Sequence, residues 1–524
     1  MPSIMNRMTK TILALSFLLL MGSPVLFCAS STDWQALLQP NTTLGVVGTL
    51  KEPLAINHVL RSALIVSGVV PEYLETYETD LRKLLENLAK TTLGSKGTLA
   101  RAEATLVALH SLGILKTYDP QATTLKDILD TGRYNCVSSA VLYLLVLKHL
   151  GIQSMGVSTA DHVFCLVPIN QRNIDVETTN RYGFDPGTKK EFFDEFGRVT
   201  GFTYVPQTEY GKRETVGEKA LIALILTNRV AVLEEQGLYR EALALGVQSY
   251  ALQNDTKGKA FLLDRIGNMI VALNKQGAYG EAYDLANAVL GVLGATVEVR
   301  QFLQDTAGNL AISRGKAGDL EAVLEVVSHM ESQEFADADL RETADITVHN
   351  RIQILLTAGD VVQARQALEQ ALQVLDGERL REASVQVLDA ELVQAVHNQG
   401  FEKAFSTVSQ AAEKGILKQT RIDEMFLYLF TKETNRLAAT KDWLAAATIA
   451  TQGLEQLPQS TQLAQAAEGY RRNFIVQAHN EFANLFNARQ YVQARGVVWE
   501  ALQLVPGEPT LESDLETVRK ILGD

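Results

Sequence analysis

A short turn motif returns through the second half of the chain, and its spacing restricts the available folds more than any other feature. Gly237-Leu238-Tyr239-Arg240-Glu241-Ala242 recurs as Gly277-Ala278-Tyr279-Gly280-Glu281-Ala282. Further copies begin at Gly318, Gly359, Gly400, Lys441 and Arg489, so successive starts are 40, 41, 41, 41, 41 and 48 residues apart. Each copy has an apolar helical pattern before the turn and another after it, with a small Ala early in the second. One such pair cannot bury its own apolar faces and must stack on its neighbours. The pattern predicts an all-α solenoid of helix-turn-helix repeats over residues 211–524.

The repeat units resemble tetratricopeptide repeats. Glu235-Gln236-Gly237-Leu238-Tyr239-Arg240-Glu241-Ala242 is similar to that family's inter-helix turn, and Ala501-Leu502-Gln503-Leu504-Val505-Pro506 to its closing proline. The period exceeds the family's length of about 34 residues, which implies diverged repeats or longer connections. The resemblance implies a protein or peptide partner docked on the array. With 61 acidic against 48 basic residues and a net charge of -13, the chain has no electrostatic reason to seek nucleic acid or an anionic membrane.

The amino terminus reads as an address. Arg7 and Lys10 form a basic head, residues 12–21 are an unbroken apolar run, and Gly22, Ser23 and Pro24 break it before small residues at 29–31. That order predicts a signal peptide over residues 1–30 with cleavage near Ser30, since a spanning helix needs about 20 apolar residues. The expectation is an exported protein, periplasmic or secreted. Two membrane alternatives stay open: an uncleaved signal, or a lipid anchor at Cys28, although Phe27 is large for the position before a lipidated cysteine.

Between these regions, residues 31–210 predict an α+β domain. Leu74, Tyr77, Leu81, Leu84, Leu85 and Leu88 repeat at helical spacing, as do Leu99, Ala102, Leu106 and Leu109, with a loop at 92–98. Residues 137–150 are apolar nearly all round and predict a buried helix closed by Gly151. Strands are expected at 163–169 and 174–178 around a turn at 170–173, with a further strand at 202–205. Composition, 46% hydrophobic and 21% charged, agrees with an ordered chain, and the helical patterns make the expected fold mostly α overall.

The chemistry-bearing residues gather at the start of the buried helix. Asn135 is a favoured N-cap, which puts Cys136 in the first turn, where the helix dipole stabilises a thiolate. Asp161-His162-Val163-Phe164 then opens one strand, and Asp175-Val176-Glu177-Thr178-Thr179 lies on its partner. Cysteine, histidine and acid in that order can supply nucleophile, base and orienter.

Gly132-Arg133-Tyr134-Asn135-Cys136-Val137-Ser138-Ser139, with Asp161-His162-Val163-Phe164 and Val176-Glu177-Thr178-Thr179, resembles the transglutaminase-like superfamily of papain-like fold, closest to its bacterial branch. The resemblance covers roughly residues 56–210. It implies acyl transfer or amide hydrolysis through a thioester, with Cys136 as nucleophile and His162 as general base and acid. Glu177 is favoured as the third member, and Asp175, on the same strand face, remains the alternative. Asn135 is a weaker oxyanion candidate. Tyr134 stands where the family often carries Gly, which bears on substrate access.

Plainer readings stand beside this one. Cys136 could be a small buried hydrophobe, or pair with Cys165 in a disulfide, although strand alternation turns Cys165 away from the face of His162. The eight histidines show no paired ligand spacing, and no Gly-rich phosphate loop follows a strand, so no metal and no cofactor are expected. The functional expectation is an exported cysteine-dependent acyl-transfer or peptidase-type hydrolase with a repeat scaffold. The alternative is a non-catalytic interaction scaffold with an inactive papain-like module.

Overall fold

The computed structural model describes residues 33–523, apart from 170, 210, 212, 399 and 414–417. The basic head, the apolar run and Cys28 lie outside the described residues. Among the described residues the chain is mostly α-helical, and its contacts divide into two compact units between Asn309 and Leu310. No described helix is long and apolar enough to cross a membrane.

The first unit begins with α1 (Trp34–Leu37), α2 (Thr42–Thr49), α3 (Ile56–Val66), α4 (Pro71–Thr91) and α5 (Thr98–Ser111). Helix α4 starts with Pro at its first position and buries Leu74, Leu81, Leu85 and Leu88 along one stripe. Two short strands, β1 (Thr117–Tyr118) and β2 (Arg133–Tyr134), flank α6 (Leu125–Thr131) and pair in parallel, Tyr118 opposite Tyr134. Helix α7 (Cys136–His149) follows directly. Its interior from Cys136 to Leu147 is buried throughout, which accounts for a sequence apolar on every side. Burying each of its large aliphatic side chains contributes roughly 1.5–3 kcal/mol. Gly151, at φ 71°, stands just past its end in the left-handed conformation that glycine adopts most cheaply.

A four-stranded antiparallel sheet follows, built from β3 (Met155–Ser158), β4 (Val163–Ile169), β5 (Arg172–Val176) and, after α8 (Lys190–Thr200), β6 (Glu214–Val216), in the order β5-β4-β3-β6. Alternation along β4 sorts its side chains: Val163, Cys165 and Val167 join the core around α7, while Phe164 and Leu166 pack with Val157 and Tyr204 on the opposite face. The strand expected at 202–205 is not formed. Phe202 and Tyr204 instead turn their rings onto His162 and Phe164, and the Tyr204 hydroxyl bonds Asp175, so this segment is held by side chains rather than by a ladder. The sheet takes its edge from β6 instead.

Helices α9 (Glu218–Glu235), α10 (Tyr239–Gln253), α11 (Thr256–Lys275) and α12 (Tyr279–Leu293) complete the first unit, and α13 (Val297–Ala317) crosses the division. Composition changes near residue 210, yet α9 packs on α3, α7 and β3, and α10 on α2, so the first helix pairs share a core with the α+β region.

The second unit continues with α14 (Leu320–Ser332), α15 (Ala338–Thr357), α16 (Val361–Ala371), α17 (Glu378–Asn398), α18 (Phe401–Glu413), α19 (Gln419–Ala439), α20 (Trp443–Gln456), α21 (Thr461–Asn487), α22 (Tyr491–Leu504) and α23 (Pro509–Leu522). From α14 to α23 each helix packs on the next, and α15, α17, α19 and α21 also meet in succession. The recurring turn residue has positive φ at every copy: Gly237, Gly277, Gly318, Gly359 and Gly400 at 75–82°, Lys441 at 64° and Arg489 at 61°. Of the small Ala residues that follow, Ala242, Ala282, Ala364, Ala404, Ala446 and Ala494 are buried, while Ala322 of the Gly318 copy is half-buried. The 48-residue interval has a local cause, because α21 runs to 27 residues while α19 has 21.

Candidate active site

Cys136 occupies the first helical position of α7. Asn135 caps that helix: its Oδ1 accepts from the backbone N–H of Val137 at 2.9 Å and of Ser138 at 3.1 Å, while Ser138 Oγ accepts from Asn135 N–H at 3.0 Å. Asn135 Nδ2 donates to the Pro120 carbonyl at 3.0 Å. The amide proposed for an oxyanion is thus engaged in holding the helix start against the 119–122 turn. Cys136 is 7% exposed.

His162 lies just ahead of β4, and its Nε2 meets Glu177 Oε2 at 2.7 Å. Glu177 is fully buried and held by its other oxygen, which accepts from Thr179 Oγ1 at 2.8 Å and Thr179 N–H at 3.3 Å. The turn after β5 is fastened on several sides. Thr178 Oγ1 and Ser139 Oγ are 2.8 Å apart, which ties the turn to the first turns of α7. His110 Nε2 meets the Thr178 carbonyl at 3.0 Å, and Tyr134 Oη donates to the Thr179 carbonyl at 3.2 Å. Gly183 closes the turn where a Cβ would come within 2.0 Å of the Glu177 carbonyl oxygen, so only glycine fits.

The opposite ring nitrogen of His162, Nδ1, is buried without a hydrogen-bond partner. Burial opposes a charged imidazole here. The Glu177 carboxylate, and then the Cys136 sulfur beside the ring, outweigh it and push His162 up to about 10. An aromatic cover surrounds the ring: Phe202 at 4.8 Å between centroids, Phe196 at 5.5 Å and Phe164 at 6.3 Å.

Asp175 is on β5, whereas Glu177 lies just past the end of that strand, and the two acids meet different partners. Its carboxylate takes both guanidinium nitrogens of Arg213, at 2.8 and 2.9 Å, the Tyr204 hydroxyl at 2.6 Å and Gln207 Nε2 at 3.0 Å. Arg213 also lies over the Phe164 ring at 5.0 Å. This cluster holds Tyr204, Gln207 and Arg213 to β5, close in sequence to Phe202 on the His162 ring. Of the two acids, Glu177 meets His162 and Asp175 anchors the cover.

Cys136 and Cys165 are both free thiols. Cys165 Sγ donates to the Ala140 carbonyl at 3.5 Å inside the core, and burial, with the Glu177 charge adding to it, pushes that thiol far up from its usual range. Among the described residues no group of three or more His, Cys, Asp and Glu side chains could hold a metal. A cavity at the far end of α7, lined by Leu144, Lys148 and Glu218, carries none of the groups named above.

Sequence reasoning missed Thr178, Thr179, Tyr204, Phe202 and Arg213. The two threonines stand next to Glu177, and their spacing is a legible sign of a side chain folding back on its own turn. Arg213 lies 38 residues from Asp175, and nothing local marks it. Compared with known proteins, the chain matches no family model and no curated protein sequence.

Proposed function

We propose that this protein is a cysteine-dependent acyl-transfer enzyme of the transglutaminase-like kind, acting as a peptidase-type hydrolase, with Cys136 as nucleophile, His162 as general acid and base and Glu177 as orienter. The observation that carries the reading is the His162 ring: one nitrogen is held by a buried acid, while the other is unpartnered beside a cysteine at a helix start. An imidazolium there is the cation that a nucleophilic sulfur requires.

The chemistry balances with these groups alone. Sγ attacks a carbonyl carbon, the C–S bond forms and the carbonyl π pair moves to oxygen. On collapse the bond to the amine or alcohol breaks, and His162 Nδ1 gives its proton to that leaving group. Water then attacks the thioester while Nδ1 takes its proton. The C–S bond breaks, and the acid departs from a regenerated thiolate and imidazolium. Water is the default acceptor, because no feature of the site selects an amine over it.

The helix pairs, read as a tetratricopeptide-like solenoid, would dock a protein or peptide partner. The amino-terminal pattern supports export to the periplasm or the outside, with anchoring through Cys28 or an uncleaved signal as its membrane variants. The non-catalytic scaffold reading draws on how enclosed the site is, with His162 4% exposed beneath its aromatic cover.

Acylation decides between the two. Treated with p-nitrophenyl acetate, the wild-type chain should release p-nitrophenolate in a burst and carry an acetyl group on Cys136 by peptide mass spectrometry. His162→Ala should not. A wild-type chain without that adduct would leave the scaffold reading standing.

A further inference from the structure

The first turn of α7 is crowded with polar side chains, and nearly all are engaged. Asn135 caps the helix, Ser138 completes the capping box and bonds the Ala122 carbonyl at 2.7 Å, Ser139 meets Thr178, and Tyr134 bonds Thr179. One is not. The Tyr118 hydroxyl is buried and has no hydrogen-bond partner.

Tyr118 is placed by backbone pairing, not by chance packing. Strand β1 runs parallel to β2 with Tyr118 opposite Tyr134, and Asp119 N–H donates to the Tyr134 carbonyl at 2.8 Å. The ring stands edge-on to Tyr134 at 5.9 Å. Since Tyr134 lies two residues before Cys136, this pairing fixes the phenol beside the start of α7. Burial, and then the charges of Cys136 and Glu177, push the phenol far up, so it stays a protonated donor. Leaving such a hydroxyl buried and unpaired is unfavourable, a cost that a fold retains when the group has work to do in another state.

We infer that Tyr118 is a catalytic residue whose hydroxyl donates to the oxyanion formed when Cys136 attacks a carbonyl. The inference rests on the acyl-transfer reading above and adds a group that reading does not use. A tetrahedral intermediate needs donors aimed at its oxygen. The Cys136 backbone N–H, among the first of the helix and not accepted by the Asn135 side chain, is one such donor. Tyr118 supplies the second from the neighbouring strand. In the resting protein its hydroxyl waits without a partner, and it gains one only when the carbonyl oxygen takes up charge.

Two reactions of the same sulfur test this. Alkylation by iodoacetamide displaces iodide at a saturated carbon and makes no oxyanion, whereas acylation by p-nitrophenyl acetate passes through one. Tyr118→Phe keeps the ring and its contact with Tyr134. It should slow the acylation burst by about 100-fold, leave Cys136 alkylation unchanged, and leave the melting temperature equal or higher, because an unpaired buried hydroxyl has been removed. Unchanged acylation, or equal losses in acylation and alkylation, would overturn the assignment. A wild-type chain that alkylates but never acylates would sink the acyl-transfer reading itself, and that result is visible before any Tyr118 variant is made.

Discussion

His162 and Glu177 are joined by a 2.7 Å contact between Nε2 and Oε2, buried on both sides, which leaves Nδ1 of the same ring free beside the helix that starts at Cys136. The arrangement settles the tautomer by geometry: a neutral ring keeps its proton on Nε2 toward the acid and offers Nδ1 as the base.

Thiol reactivity follows from that pairing. Cys136 should react with iodoacetamide much faster than Cys165, which is sealed against Ala140. His162→Ala should remove most of the difference. Site-resolved labelling followed by mass spectrometry checks both points, and equal slow labelling of the two thiols would contradict the proposal.

The two acids should separate cleanly. Glu177→Gln keeps the shape but loses the charge that orients and stabilises the imidazolium, so it should slow Cys136 acylation by about 100-fold and also lower the unfolding free energy at neutral pH. Asp175→Asn breaks a buried ion pair with Arg213 and should cost about 3–5 kcal/mol in unfolding free energy, read from denaturant titration. If Asp175→Asn instead abolished acylation at full stability, their roles would be reversed.

The His162 ring should remain protonated well above neutrality. Its ordinary value is about 6.5, and the folded site pushes it up to about 10. A group raised on folding contributes stability that is complete below the unfolded value and is lost as pH rises through the folded one. Stability should therefore fall between about pH 6.5 and pH 10, and His162→Gln should flatten that slope. The ring proton resonances of His162, followed by NMR, should show no titration between about pH 5 and pH 8.

Backbone conformation gives an independent test in the helix pairs. Lys441 and Arg489 hold the left-handed position that glycine fills in the other five turns, and an L-residue there is disfavoured by about 1–2 kcal/mol. Lys441→Gly should raise the unfolding free energy read from denaturant titration modestly, by about 0.5–1 kcal/mol after the added flexibility of the unfolded chain is subtracted. Gly237→Ala should lower it by about 1 kcal/mol. No neighbour lies within 4 Å of the Cβ that Gly237→Ala introduces, so the effect would be conformational rather than steric.

Much of the helical framework was legible because its signals are local. The motif positions from Gly237 to Arg489 coincide with the inter-helix turns, since a positive φ and a buried Ala are demands on single residues. The stretch at 137–150 read as a buried helix, and α7 begins one residue earlier, at the cysteine itself. The strand expected at 202–205 failed for a different reason: its alternating aromatics satisfy a strand pattern, but they pack on His162 and Phe164 instead.

By itself the sequence determined where the helix pairs turn, where α7 begins and the order of cysteine, histidine and acid, because periodicity, caps and left-handed turns act over a few residues. Tertiary structure alone decided which of two acids, two residues apart, meets the imidazole. It also chose the rings that cover the site and left one phenol beside the cysteine unpaired. Those outcomes depend on partners distant in sequence, such as Arg213 for Asp175 and Tyr134 for Tyr118, and only packing brings them within reach.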